Sequence, residues 1–226
     1  MRRLAVSSKL VFSVAFSPDG KLLACGANNG LVLIWDVASG AIVRRLAGHD
    51  ERKEVATVDF SPDGALIASG SQDKTLRLWN TRTWENIRTM SRWEGRRRPR
   101  PDAYPDVDDS IESVAFSTDG RVVATGSEDN TARLWDVRTG VEIGELRDVG
   151  GPAHFGPVLS IVFSSCGRFA ATGAYDETAK LWEWPSWRIL RDWKPQSPFY
   201  ASAARVLHRW EGRAPFNAVT FSPRGR

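Results

Sequence analysis

FSPDGALIASGSQDKTLRLW, residues 60–79, leaves one apolar strand at a tight turn, crosses two further apolar runs and stops on a tryptophan. In the turn, Pro62 stands where φ near −65° is wanted, and Gly64 stands where a tight turn tolerates it best. The same step of 19 residues from Phe to Trp recurs from Phe16 to Trp35, from Phe116 to Trp135 and from Phe163 to Trp182. One interval used four times means one supersecondary unit copied, so the chain is a repeat protein. A further copy opens at Phe221 and is cut five residues later.

Outward from that stretch the signals keep one order. An alternating run comes first: Ser13 to Phe16, Thr57 to Phe60, Ser113 to Phe116 and Ser160 to Phe163. Alternation of this kind reads as a half-buried strand. The turns Ser17 to Gly20, Ser61 to Gly64, Ser117 to Gly120 and Ser164 to Gly167 follow. Two more strands come next, Leu22–Cys25 and Leu31–Trp35 in the first repeat and Leu66–Ser69 and Thr75–Trp79 in the second. A fourth strand, such as Ala41–Leu46, closes each unit. Four short antiparallel strands in about 40 to 45 residues is the pattern of a propeller blade. The blades are placed at about 11–46, 55–90, 111–146 and 158–193 (or to 208), with a partial fifth at about 216–226, all in a single domain.

The dipeptides Trp35-Asp36 and Trp135-Asp136, the variants Trp79-Asn80 and Trp182-Glu183, and Gly48-His49 together resemble the WD40 repeat family over nearly the whole chain. The resemblance implies an all-β, WD40-type β-propeller with four complete four-stranded blades and the start of a fifth. It also implies an incomplete ring: Arg2-Arg3-Leu4 reads like the end of a fourth strand, but a last blade has no second and third strands to receive it. Completion by a longer polypeptide or by self-association through the ring edges is expected. The family's buried tetrads map onto His49, Ser69, Asp73 and Trp79, and onto His154, Thr172, Asp176 and Trp182. These are expected to be structural, because a device recurring once per repeat is unlike a single asymmetric catalytic constellation. Blade three lacks the His and blade one has only Cys25, Asn29 and Trp35, so both are expected to be softer. The family's exposed position before the turn Asp maps onto Asn28, Gln72, Glu128 and Tyr175 as candidate partner contacts. The function this implies is a non-enzymatic scaffold for peptide or protein partners. Alternatives are a regulatory or targeting region of a longer kinase or NTPase, and a chromatin or nucleic-acid binder.

Residues 91–110 are an insertion in the blade plan. Arg92, Trp93, Arg96, Arg97, Arg98 and Arg100 within it are further partner candidates, but Glu94, Asp102, Asp106, Asp108 and Asp109 balance the charge. A solvated, partly disordered loop is therefore the preferred expectation there, a protein-docking loop the next, and nucleic acid a weak one. A second excess lies between Trp182 and Phe216; residues 187–193 fit a fourth strand, whereas Arg209 to Arg213 echoes Arg92 to Arg96 and would move the insertion to the opposite face. Residues 202–212 also fit a capped helix. Trp182, Trp184, Trp187 and Trp193 crowd together, either as interface anchors or, as preferred, as cover for a blade edge.

Composition narrows the rest. Of 226 residues, 42% are apolar and 26% charged, which excludes a disordered chain, and Leu31–Trp35 is far too short to span a bilayer. The net charge is +4 (31 basic minus 27 acidic). Two cysteines, Cys25 in a strand and Cys166 in a turn, read as free thiols in a reducing compartment, and the N-terminus has no secretory pattern. A cytoplasmic or nuclear protein is expected. No phosphate-binding loop, paired Cys-x-x-Cys, HExxH or glycosylation sequon occurs, so no metal or cofactor is expected.

Overall fold

The computed structural model describes residues 10–91, 109–148, 151–193 and 219–221. Every regular element among them is a strand. The chain divides into two compact units, residues 1–114 and 115–226. In the first, β1 (Val11–Phe16), β2 (Leu22–Ala27), β3 (Leu31–Asp36) and β4 (Ala41–Ala47) form one antiparallel sheet in chain order. β5 (Val55–Phe60), β6 (Leu66–Ser71), β7 (Leu76–Asn80) and β8 (Asn86–Met90) form the second. β9 (Ile111–Phe116) runs across the division and opens the third sheet, followed by β10 (Val122–Ser127), β11 (Ala132–Asp136) and β12 (Glu142–Asp148). A two-residue strand, β13 (Gly151–Pro152), adds a fifth member to that sheet by pairing Arg147 with Pro152 and Asp148 with Gly151. β14 (Val158–Phe163), β15 (Phe169–Ala174), β16 (Ala179–Glu183) and β17 (Arg188–Trp193) form the fourth sheet.

The short β13 goes beyond the sequence pattern, and the fourth sheet resolves an ambiguity in it. There β17 pairs with β16 from Ala179–Trp193 to Glu183–Arg188, so residues 188–193 are its fourth strand. The expected helix at 202–212 and the outer strand at Arg2 to Leu4 lie outside the described residues.

The 19-residue interval is a register. Phe60 pairs with Ile67 and Ile67 with Trp79; Phe16, Leu23 and Trp35 line up likewise, as do Phe163, Ala170 and Trp182. Each interval is therefore the sum of two fixed turn lengths. The first turn is held by a buried serine: Ser17, Ser61, Ser117 and Ser164 each accept the N–H of the residue five positions on, at 2.9, 2.9, 3.0 and 3.0 Å. The glycine closing that turn has φ between +67° and +71° in all four, a region that costs a residue with a Cβ. At the repeat Trp, each pairing with the fourth strand shifts register, between Ile34 and Trp35, Leu78 and Trp79, Leu134 and Trp135, and Leu181 and Trp182. Such bulges re-aim a side chain.

Packing between sheets is equally periodic. In the first unit Ala24, Val32, Ile34 and Leu46 of one sheet bury Val58, Phe60, Ile67 and Trp79 of the next. Main chain meets main chain at Gly26, where a Cβ would stand 2.4 Å from the Val55 carbonyl oxygen; Gly126 approaches Val158 in the same way, at 2.6 Å. Gly26→Ala is expected to cost about 1–3 kcal/mol, since backbone must move to admit the methyl group. Gly144→Ala, with a neighbour no nearer than 3.6 Å, should cost far less. Urea midpoints of the two variants check the order. Inner-strand hydroxyls tie neighbours together: the Val58 N–H donates to Ser13 Oγ (3.1 Å), the Val114 N–H to Thr57 Oγ1 (3.1 Å) and the Val219 N–H to Ser160 Oγ (3.0 Å). Among the described residues no such cover lies on the same face of β1. Val14 and Phe16 are 59% and 62% exposed, whereas their counterparts Val58 and Phe60 are 5% and 6%.

Candidate functional site

In the second repeat four polar side chains, two on strands β6 and β7 and two in the connections before β5 and β7, form one hydrogen-bonded chain. Trp79 Nε1–H donates to Ser69 Oγ at 2.8 Å, His49 Nε2 lies 2.7 Å from the same oxygen, and His49 Nδ1 lies 2.9 Å from Asp73 Oδ2. The indole can only donate, and the assignment that satisfies every group has Ser69 O–H donating to His49 Nε2 and His49 Nδ1–H donating to the Asp73 carboxylate. Asp73 is further held by the Asp50 N–H (3.1 Å), the Thr75 N–H (2.9 Å) and the Thr75 hydroxyl (2.6 Å). Ser69 and His49 are buried, and Ser69 Oγ is already committed to both ring systems.

The fourth repeat uses the same parts with one change. Trp182 Nε1–H donates to Thr172 Oγ1 at 3.0 Å, and His154 Nε2 is 2.7 Å from that oxygen. Nδ1, however, reaches Thr178 Oγ1 at 2.7 Å and stands 3.6 Å from Asp176 Oδ1. Thr178 passes the contact on by donating to Asp176 Oδ1 at 2.6 Å. The threonine two residues after the aspartate is thus a fifth member that the sequence reading missed. Its signal was available in Asp73-Lys74-Thr75, Asp129-Asn130-Thr131 and Asp176-Glu177-Thr178.

The third repeat keeps the Trp135 to Thr125 bond (3.0 Å) and the Thr131 to Asp129 bond, and gives Asp129 a different partner in place of the missing histidine. Arg133, buried, reaches Asp129 at 3.3 Å, Glu142 at 2.9 Å and Glu145 at 3.3 Å. Lys180 holds that register in the fourth sheet and pairs with Asp148 (2.5 Å) and Asp192 (3.6 Å). Arg77 holds it in the second, but Asp73 is taken by His49, and among the described residues Arg77 pairs with no carboxylate. In the first repeat Trp35 Nε1 and Asn29 Oδ1 are buried without a hydrogen-bond partner among the described residues. Burial pushes the Cys25 thiol there up to about 11, so it stays protonated.

Burial alone would raise the Asp73 carboxyl, but the hydrogen bond from His49 and the Thr75 and Asp50 donors outweigh it, leaving the group well below the usual carboxylate range. Asp176 is lowered against its own burial by His154, Thr178 and the Phe155 amide. A depressed folded-state value means that stability is fully present above the unfolded value, about pH 4, and is lost as pH falls through the folded value. Unfolding free energy is therefore expected to be insensitive to these two groups from about pH 5 upward and to drop below about pH 4. Asp73→Asn should flatten part of that acid limb; an unchanged limb would refute the assignment.

Of the partner candidates, Glu128 and Tyr175 are exposed, and Asn28 and Gln72 are half-buried. Each of Asn28, Gln72 and Tyr175 donates its N–H to a carbonyl just before the inner strand, of Leu10, Glu54 and Pro157 respectively. Arg92, Trp93, Arg96, Arg97, Arg98 and Arg100 lie outside the described residues. Trp184 and Trp187 pack on each other at 4.6 Å and on Phe163 at 5.5 and 6.3 Å, within their own repeat. Among the described residues no group of three or more His, Cys, Asp or Glu side chains is placed to hold a metal ion.

The WD domain, G-beta repeat model matches residues 3–36, 40–80, 105–136 and 146–183, more than half of the chain. The chain is similar to the WD repeat-containing protein VIP3 of Arabidopsis thaliana, 46% identical over 44 residues, which are 20% of this chain and 14% of that protein. It is similar to the WD repeat-containing protein slp1 of Schizosaccharomyces pombe, 28% identical over 134 residues, 59% of this chain and 24% of that protein. A third likeness is to the probable serine/threonine-protein kinase PkwA of Thermomonospora curvata, 43% identical over 49 residues, 22% of this chain and 7% of that protein. The chain thus spans less than a quarter of the length of each of these curated relatives.

Proposed function

This chain belongs to the WD domain, G-beta repeat family, and we propose that its four sheets are blades of a β-propeller serving as a non-enzymatic platform for peptide or protein partners. WD40 repeats generally mediate protein interactions. The observation that carries the non-enzymatic reading is the state of Ser69 Oγ. It is buried at 0% exposure between the Trp79 indole and the His49 ring, so no substrate can reach it. The near-copy at Thr172 supports the same reading, since a catalytic group is needed once and a structural one recurs. The exposed Val14 and Phe16 support a further sheet packing on β1.

The test is retention of partners on the immobilised full chain against a rim variant with Gln72, Glu128 and Tyr175 changed to Ala. Proteins held by the first and lost by the second are the expected result. Hydrolysis of a p-nitrophenyl ester that vanishes in Ser69→Ala would overturn the reading. A second reading, that the repeats target or regulate a longer enzyme, is supported by the likeness to PkwA, whose name is that of a kinase. Kinase activity of the natural full-length gene product would favour it.

A further inference from the structure

We propose that the rim formed by the His154–Pro157 loop and the Tyr175 turn receives an arginine or lysine side chain of a protein partner, on two exposed aromatic rings bordered by carboxylates. This deepens the platform reading and rests on it.

Phe155 is 86% exposed, more than any other large apolar side chain among the described residues, and Tyr175 is 60% exposed. Neither ring is on a loose tether. The Phe155 N–H donates to Asp176 Oδ2 at 2.7 Å, and the Tyr175 N–H donates to the Pro157 carbonyl at 2.8 Å. Between them Gly156 lies so close that a Cβ would stand 2.9 Å from the Asp176 nitrogen. The two backbones therefore rest on one another, and a partner that covers the rings has little loop ordering to supply. The fold does not ask for aromatics here. The second repeat, with the same histidine and aspartate, has Asp50 and Gln72 in the corresponding places.

Acids border the rings. Gly126 approaches Val158 as Gly26 approaches Val55, so the third and fourth sheets pack as the first and second do. In the first pair that packing sets Gly30 against the His49 and Asp50 carbonyls, at 2.9 and 2.5 Å from a Cβ position. Asn130 holds the register of Gly30 with the same φ of +67°, and on that equivalence the turn of exposed Glu128 is assigned to the side of the His154–Phe155 loop. Glu177 follows on the Tyr175 side. The cations on these strands, Arg133 and Lys180, are buried and already paired, Arg133 with Asp129, Glu142 and Glu145 and Lys180 with Asp148 of the third sheet and Asp192 of its own. An aromatic face with carboxylates at its border attracts a guanidinium or ammonium by its quadrupole and its charge together. A purely apolar partner would desolvate Glu128 without pairing it, and an acidic one would be repelled.

The experiment is selection of displayed random dodecapeptides on the immobilised full chain, with affinities of enriched peptides measured by fluorescence anisotropy. Expected are peptides sharing an Arg or Lys whose change to Gln weakens binding about tenfold, and losses of about three- to thirtyfold for Phe155→Ala or Tyr175→Ala. Both side chains are exposed, so an unchanged thermal midpoint separates contact from folding. Enriched peptides that bind the Phe155→Ala/Tyr175→Ala double variant as well as the parent would overturn this inference and leave the platform standing. Enriched peptides that need Phe155 but carry no essential cation would also overturn it, in favour of an apolar partner. No enrichment on the parent would count against the platform reading itself.

Discussion

Arg133→Met is expected to destabilise the unit of residues 115–226 by about 3–5 kcal/mol, the cost of removing one partner from a buried ionic group. The guanidinium is surrounded by Asp129, Glu142 and Glu145; of these, Glu145 is also reached by the exposed Arg147, at 3.3 Å. Methionine keeps the stem volume, so the loss reads the abandoned carboxylates and not a cavity. Arg77→Met, at the same register of the second sheet, should change stability by less than about 1 kcal/mol, because His49 already satisfies Asp73. Urea unfolding of the two variants measures the contrast. Equal losses would show that the arginines act by packing alone. Asp129→Asn added to Arg133→Met should recover part of the loss, as expected for coupled charges.

Ser69→Ala is expected to cost about 2–5 kcal/mol. It strands two buried groups at once, the Trp79 N–H and His49 Nε2, each worth about 1–3 kcal/mol when orphaned. Thr172→Val should cost about as much while conserving shape. Thr125→Val should cost about half, since only the Trp135 N–H is stranded. A loss at Thr125 equal to those at Ser69 and Thr172 would mean that the histidines contribute nothing. The first repeat offers the converse experiment. Cys25→Ser places a hydroxyl where Trp35 Nε1 has no acceptor, and a gain of about 0.5–1.5 kcal/mol is expected.

How far these sites could be read in advance depends on what each residue's partner is. The turns and the Phe-to-Trp register were legible because Ser61, Asp63, Ala65 and Leu66 bond to one another within six residues. The His–Ser–Asp–Trp set was legible through family resemblance. Thr75 and Thr178 went unnoticed although their Asp-x-Thr spacing repeats. The basic position two before the Trp recurs at Arg77, Arg133 and Lys180, but which carboxylates each reaches is not written in that spacing: Asp129 is within reach of Arg133 in the repeat that lacks a histidine. The expectation that the third repeat is soft for want of that histidine therefore omitted the compensating cation. Phe155 was missed because one exposed aromatic after a histidine has no periodicity to mark it.

Spacing along the chain was enough for the strands, the serine-held turns and hence the family, since all are set by residues that are near neighbours in sequence. Packing of strands was needed for the rest. Only it brings His154 to Thr178 and not directly to Asp176, hands Asp129 to Arg133, leaves Trp35 without an acceptor, and sets Phe155 and Tyr175 on one rigid rim. These outcomes turn on differences of about an ångström between side chains that lie far apart in the chain, and a linear pattern does not encode distances of that kind.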